Sequence, residues 1–114
     1  MKYLGKIERV KFGLCGYQNQ MLGIRLTLRF KESLGSVQER CFWDYNKVEN
    51  DNNCKWDEES RSEQAIEVMR YISDLLAKAK VEDINDLVGI PIEVECEGVG
   101  MEVKSFRVLE EVLI

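Results

Sequence analysis

Residues 60–80 read SRSEQAIEVMRYISDLLAKAK. Ala65, Val68, Met69, Ile72, Leu75, Leu76 and Ala79 recur at intervals of three and four, which predicts one amphipathic helix with a single apolar stripe. Ser60-Arg61-Ser62-Glu63 fits a capping box, in which the hydroxyl and the carboxylate each satisfy a free amide at the helix start. Asp57, Glu58 and Glu59 suit the positive end of the helix dipole, and Lys78 and Lys80 suit the negative end.

On either side of this helix the apolar period changes from three or four to two. Upstream, Leu22, Ile24, Leu26, Leu28 and Phe30 alternate with Gly23, Arg25, Thr27 and Arg29, a strand with one apolar face. Before it, Lys6 to Phe12 forms a first strand in which Ile7 and Val10 stand three apart. Keeping both inside needs one extra residue, a bulge near Glu8-Arg9. Gly13 to Gln20 is a turn with Tyr17 exposed at its tip. Val37 to Tyr45 is a third strand with an aromatic end, Phe42-Trp43-Asp44-Tyr45. Both faces of that end carry rings, so at least one ring belongs at the surface.

Downstream, Asp83 to Val88 reads as a short turn of helix that ends at Gly89. Pro91 then opens a fourth strand, where a missing amide is tolerated. Ile90, Ile92, Val94 and Cys96 point in, and Glu93, Glu95 and Glu97 point out. Gly98-Val99-Gly100 turns a hairpin into a fifth strand, with Phe106 and Val108 inward, and the tail from Glu110 to Ile114 is apolar enough to pack. The class is α+β, mainly β, in the order β-β-β-α-β-β. That is the order of the OB-fold, a five-stranded small barrel whose usual work is binding. One domain spans residues 1–114, with a mobile polar loop at 46–55.

Composition narrows the function by exclusion. The chain has 114 residues, 45% hydrophobic and 32% charged, as expected of a globular domain. Its longest apolar runs are far short of the ~20 residues of a membrane helix. The start, Met1 to Lys6, leads straight into a strand without an apolar signal core, which implies a cytoplasmic protein. There is no histidine, so no Ser-His or Cys-His nucleophile can be assembled. No phosphate-binding glycine loop is present either, and the reading is of a protein that is not an enzyme and takes no cofactor. Cys15, Cys41, Cys54 and Cys96 form no Cys-x-x-Cys pair. They read as reduced core residues and not as metal ligands, with Cys54 the least core-like.

Net charge is −5, but it is unevenly spread. Residues 1–31 hold seven Lys or Arg against one acid, Glu8, and the remainder holds nine against twenty. Arg25 and Arg29 share the outward face of the second strand, near Lys6, Arg9 or Lys11. With Tyr17, Trp43 and Tyr45 as rings, this face suits a single nucleic-acid strand: phosphates on cations, bases on aromatics. The same charges also serve to keep a sheet soluble and deter edge pairing. Glu93, Glu95 and Glu97 form an acidic row with Glu102, Glu110 and Glu111 near in sequence. An acidic stripe can fill the basic groove of a nucleic-acid enzyme as a DNA mimic, although a solvated strand face is the simpler account.

Several stretches resemble a family of small proteins of tailed phages and prophages, most without an assigned function. They are Gly5-Lys6-Ile7, Phe12-Gly13, Gly16-Tyr17, Met21-x-Gly23, Cys54-x-Trp56, Leu87-x-Gly89-x-Pro91-x-Glu93-Val94, Glu97-Gly98 and Lys104-Ser105-Phe106-Arg107-Val108-Leu109. The chain departs from that pattern at Gly98-Val99-Gly100 and over residues 30–53. The helix followed by Leu-x-Gly-x-Pro-x-x-Val also looks like phage OB-fold single-stranded-DNA-binding proteins. The resemblance implies a phage or prophage accessory protein in a bacterial host. The expectation is binding to a host protein, such as a nucleic-acid-handling or defence enzyme, through Glu93, Glu95, Glu97 and Glu102, in the manner of an anti-CRISPR or other anti-defence protein. The alternative is single-stranded DNA held by Lys11, Tyr17, Arg25, Arg29 and Trp43. No membrane is involved, and the chain is a monomer or a homodimer.

Overall fold

A computed structural model describes residues 1–30, 34–47, 58–97 and 102–113. Five strands form one antiparallel sheet: β1 (Lys2–Cys15), β2 (Met21–Phe30), β3 (Leu34–Trp43), β4 (Pro91–Glu97) and β5 (Glu102–Val108). Their spatial order is β3-β2-β1-β4-β5, with β1 at the centre. The helix α1 (Glu58–Ala79) follows β3 and is succeeded by a 3₁₀ turn, Ile84–Leu87. The chain order is therefore β-β-β-α-β-β, and the sheet curls into a half-barrel. β3 and β5 are its two edges and do not pair among the described residues.

The curl begins at the bulge. Ile7 pairs with Leu28 and Arg9 with Thr27, so Glu8 is the extra residue. This is where two inward residues, Ile7 and Val10, stand three apart. It is also where β1 changes partners, because pairing with β4 runs only from Lys2 to Lys6. At Ile7 the carbonyl accepts from Gly89 N (2.7 Å) and the amide donates to Ile90 O (3.1 Å). Beyond this point, among the described residues, β1 pairs with β2 alone. Tight approach helps the curl at Gly5 and Gly23: a Cβ on Gly5 would meet the Arg29 carbonyl, and one on Gly23 the Arg40 carbonyl.

One face of the sheet is the core. Ile24, Leu26 and Leu28 are fully buried and Phe30 nearly so, as alternation along β2 demands. Ile92, Val94 and Cys96 join them from β4, and Val108 from β5, with Phe106 packed alongside. Each fully buried aliphatic side chain contributes about 1.5–3 kcal/mol. α1 covers this face with Val68, Leu75 and Ala79, flanked by half-buried Ile72 and Leu76.

Several expectations need correction. Met69 lies outside the buried stripe, 61% exposed, because the sheet covers a narrower arc of α1 than the sequence period marks out. α1 starts at Glu58, so Ser60 is its third residue and is not its cap. β3 ends at Trp43, and Tyr45 sits in a turn instead of the strand. The cause is the Asp44 carboxylate, which accepts from the amides of Asn46 (3.0 Å) and Lys47 (3.1 Å) and competes with the strand ladder. Of the aromatic end, Phe42 is buried, Trp43 half-buried and Tyr45 50% exposed. In the tail Leu109 packs, whereas Val112 is exposed. Most of the 46–55 loop, with Cys54, and the Gly98-Val99-Gly100 turn lie outside the described residues.

Candidate ligand-binding faces

Cross-strand register places the basic residues of β1 and β2 in one field on the outward face. Lys6 lies opposite Arg29, Arg9 opposite Thr27, and Lys11 opposite Arg25. Glu39 and Trp43 of β3 extend the same face, with Glu39 opposite Arg25 and Trp43 opposite Met21. Tyr17 stands beside it, 65% exposed, in the turn that links β1 to β2. The structure thus brings Lys11, Arg25, Arg29 and Trp43 to one face of the sheet, with Tyr17 exposed in the turn at its end. Like charges directly opposite cost stability, which makes the Lys6–Arg29 and Lys11–Arg25 pairs notable.

These pairs are relieved unequally. Arg29 grips the bulged Glu8 with two hydrogen bonds, Nε to Oε2 at 2.9 Å and Nη2 to Oε1 at 3.0 Å. That hydrogen bond holds the Glu8 carboxyl below its ordinary value. Lys11 Nζ donates to the Leu14 carbonyl at 2.6 Å and to no carboxylate among the described residues. Arg25 has no ion pair or hydrogen bond from its guanidinium among the described residues. Glu39, its neighbour on β3, instead accepts from the Gly16 amide at 2.9 Å.

The acidic row is less uniform than its sequence. Glu93 lies 3.2 Å from Arg107 Nε and 3.9 Å from Lys2 Nζ, and Arg107 also reaches Glu111 at 3.1 Å. Glu111 first, then Glu93, raise the already high Arg107 pKa. Glu95 faces Lys2 in the β1–β4 register and sits 3.5 Å from Ser105 Oγ. Glu97 and Glu102, directly opposite each other at the hairpin end, have no ion pair among the described residues. Sequence spacing showed the row but not the cations that β1 and β5 insert into it.

A further basic region had no sequence signal, because three separated elements build it. A cleft of about 240 Å³ opens between β3, α1 and β5, where the half-barrel fails to close. Among the described residues, Arg40, Lys78, Lys104 and Arg107 line it against one acid, Asp74. The Arg40 guanidinium stacks 4.9 Å over the Tyr71 ring. Desolvation there pushes the Tyr71 hydroxyl upward in pKa. Arg61, 3% exposed, similarly covers the Tyr45 ring at 4.2 Å and pairs with Glu58 at 3.3 Å. This arginine anchors the first turn of α1, a role unreadable from an exposed-looking Ser-Arg-Ser.

At the Tyr17 end of the outward face, Cys15 Sγ and Cys41 Sγ lie 2.8 Å apart. Cys15 is 1% exposed yet stands outside the main core cluster. Burial first, and the Cys15 contact second, push the Cys41 thiol up to about 12, so it stays protonated at neutral pH. A protonated thiol is a poor nucleophile.

Among the described residues, no helix is long and apolar enough to cross a membrane. Comparison with protein-family models, with curated proteins and with solved structures finds no match.

Proposed function

We propose that this chain is a non-enzymatic binding protein that holds single-stranded nucleic acid on the outward face of β1, β2 and β3. The observation that carries this reading is the pairing of Lys11 with Arg25, two cations set face to face on the strand face that also carries Trp43 further along β3. A polyanion relieves that repulsion, and the rings offer stacking surfaces for bases. The phage or prophage origin, and action in the bacterial cytoplasm, rest on the sequence resemblance. The neutralisation of Glu93 by Lys2 and Arg107 weakens the acidic row as a DNA mimic, which reverses the ranking drawn from sequence alone.

Fluorescence anisotropy with labelled oligo-dT at about 50 and 200 mM salt tests this. Lys6, Arg9, Lys11 and Arg25 would contact about four phosphates, giving a slope of log affinity against log salt near −3. No binding at either salt would sink the nucleic-acid reading.

A second reading keeps a host protein as the partner, reached through Glu97 and Glu102. Their direct opposition is a like-charge pair that a basic surface would relieve. Pull-down from host lysate with and without charge reversal at both positions separates the two readings.

A further inference from the structure

The thiol pair answers to a different ligand from the basic field. Cys15 lies on β1 and Cys41 on β3, with β2 running between them. Glu39 precedes Cys41 by two residues and so shares its face of β3. The donor atoms of Cys15, Glu39 and Cys41 all lie within 4.8 Å of one another. We propose that these three residues form a site for a thiophilic divalent metal ion of the zinc class, clamping β1 to β3 across the strand between them.

The donor set and its geometry fit such an ion. Zinc takes thiolate sulfur at about 2.3 Å and carboxylate oxygen at about 2.0–2.2 Å, in a tetrahedron. Two sulfurs on one such tetrahedron stand about 3.8 Å apart. The present 2.8 Å separation therefore has to open by about 1 Å, within the reach of side-chain rotation. Glu39 is already oriented by the Gly16 amide at 2.9 Å, the kind of outer hydrogen bond that fixes a metal-binding carboxylate. Three protein ligands leave the fourth position for water. Met21 packs its thioether against Gly16, adding a polarizable wall beside Cys15.

A disulfide is the competing use of two neighbouring thiols. It requires Cα atoms within about 7 Å. Cys15 and Cys41 sit on strands that flank β2 and do not pair with each other, a wider span than neighbouring strands and one better suited to the longer sulfur–metal–sulfur bridge. A disulfide also leaves Glu39 without a part. Metal binding itself needs no oxidant: each thiol gives up a proton to solvent as its sulfur bonds to the ion.

The test is titration of the reduced full-length protein with Co²⁺ and then Zn²⁺, read by absorbance. One equivalent of Co²⁺ should produce thiolate-to-cobalt charge-transfer absorption, bleached by Zn²⁺. Cys41→Ser, at a half-exposed position, should abolish the band without unfolding the protein. Cys15→Ser should do the same, and Cys54→Ser and Cys96→Ser should leave it unchanged. Glu39→Gln should keep the charge-transfer band but weaken Co²⁺ affinity about tenfold or more. Absence of the band, its survival in Cys41→Ser, its loss in Cys54→Ser, or titration of Cys15 and Cys41 as a disulfide in place of binding would each overturn the proposal.

Discussion

Lys11 and Arg25 face each other directly across β1 and β2, and neither ends on a carboxylate among the described residues. Reversing one of them separates binding from folding. Arg25→Glu removes the repulsion with Lys11 but creates a new one with Glu39 on β3. The two effects are of similar size, so stability should move by less than about 0.5 kcal/mol. Oligo-dT affinity should fall at least about tenfold at low salt, as the face loses one cation and gains one anion. Urea denaturation and anisotropy on the same preparation check both. As a control, reversing Lys78 and Lys104 in the seam cleft should leave affinity within about twofold.

Glu8 is the internal competitor for Arg29. Its carboxyl is depressed from the ordinary 4.5 by the Arg29 hydrogen bond. A depressed carboxylate adds stability that is fully present above its unfolded pKa and is lost as pH falls through the folded one. Glu8→Gln should therefore flatten the acid limb of stability below pH 4.5, seen in urea melts across pH. At neutral pH the same variant frees Arg29 and should tighten oligo-dT binding by about twofold to fivefold.

Gly23 is a position where any side chain collides with the neighbouring strand. An added Cβ would meet the Arg40 carbonyl and lie 2.7 Å from Cys41 Cα. Gly23→Ala should cost about 3 kcal/mol in urea denaturation. Gly13→Ala, on the same face and next to β2, has Lys11 Cε as its nearest neighbour at 3.7 Å and should cost less than about 1 kcal/mol.

Lys80 closes α1 in a left-handed conformation, φ +59°. The Val81 amide donates to Leu76 O (3.1 Å) and the Lys80 amide to Ala77 O (3.2 Å), a Schellman motif without its usual glycine. Lys80→Gly removes the left-handed strain and should stabilise by about 0.5–1 kcal/mol. The exposed Lys80 Nζ to Leu113 O bond (2.7 Å) offsets part of that gain. A rise in Tm of about 2–4 °C is expected in a thermal melt.

Legibility in the sequence follows the range of the interaction. The β2 alternation and the three-residue gap between Ile7 and Val10 are local patterns, and they located a buried face and a bulge. Tyr45 was misplaced because a side-chain turn at Asp44 outcompetes strand propensity, and propensity carries no information about that competition. The basic field could be anticipated because β1 and β2 are joined by a short turn, which constrains their register. The cations around Glu93 come from opposite ends of the chain, Lys2 and Arg107, and no spacing rule joins them. The seam cleft depends on where α1 lies between two sheet edges, which only tertiary packing decides.

The double allegiance of β1 also sets the order in which the chain can mature. The meander of β1, β2 and β3 needs nothing beyond residue 43, whereas the first half of β1 gains its second neighbour only when residues 91–97 arrive. Met1 and Cys96 finally exchange hydrogen bonds of 3.0 and 2.8 Å. Joining residues so distant in the chain carries a loop-closure cost before any contact repays it, and such topologies fold in milliseconds to seconds. β1, synthesised before the strands it pairs with, is therefore among the last to be completed.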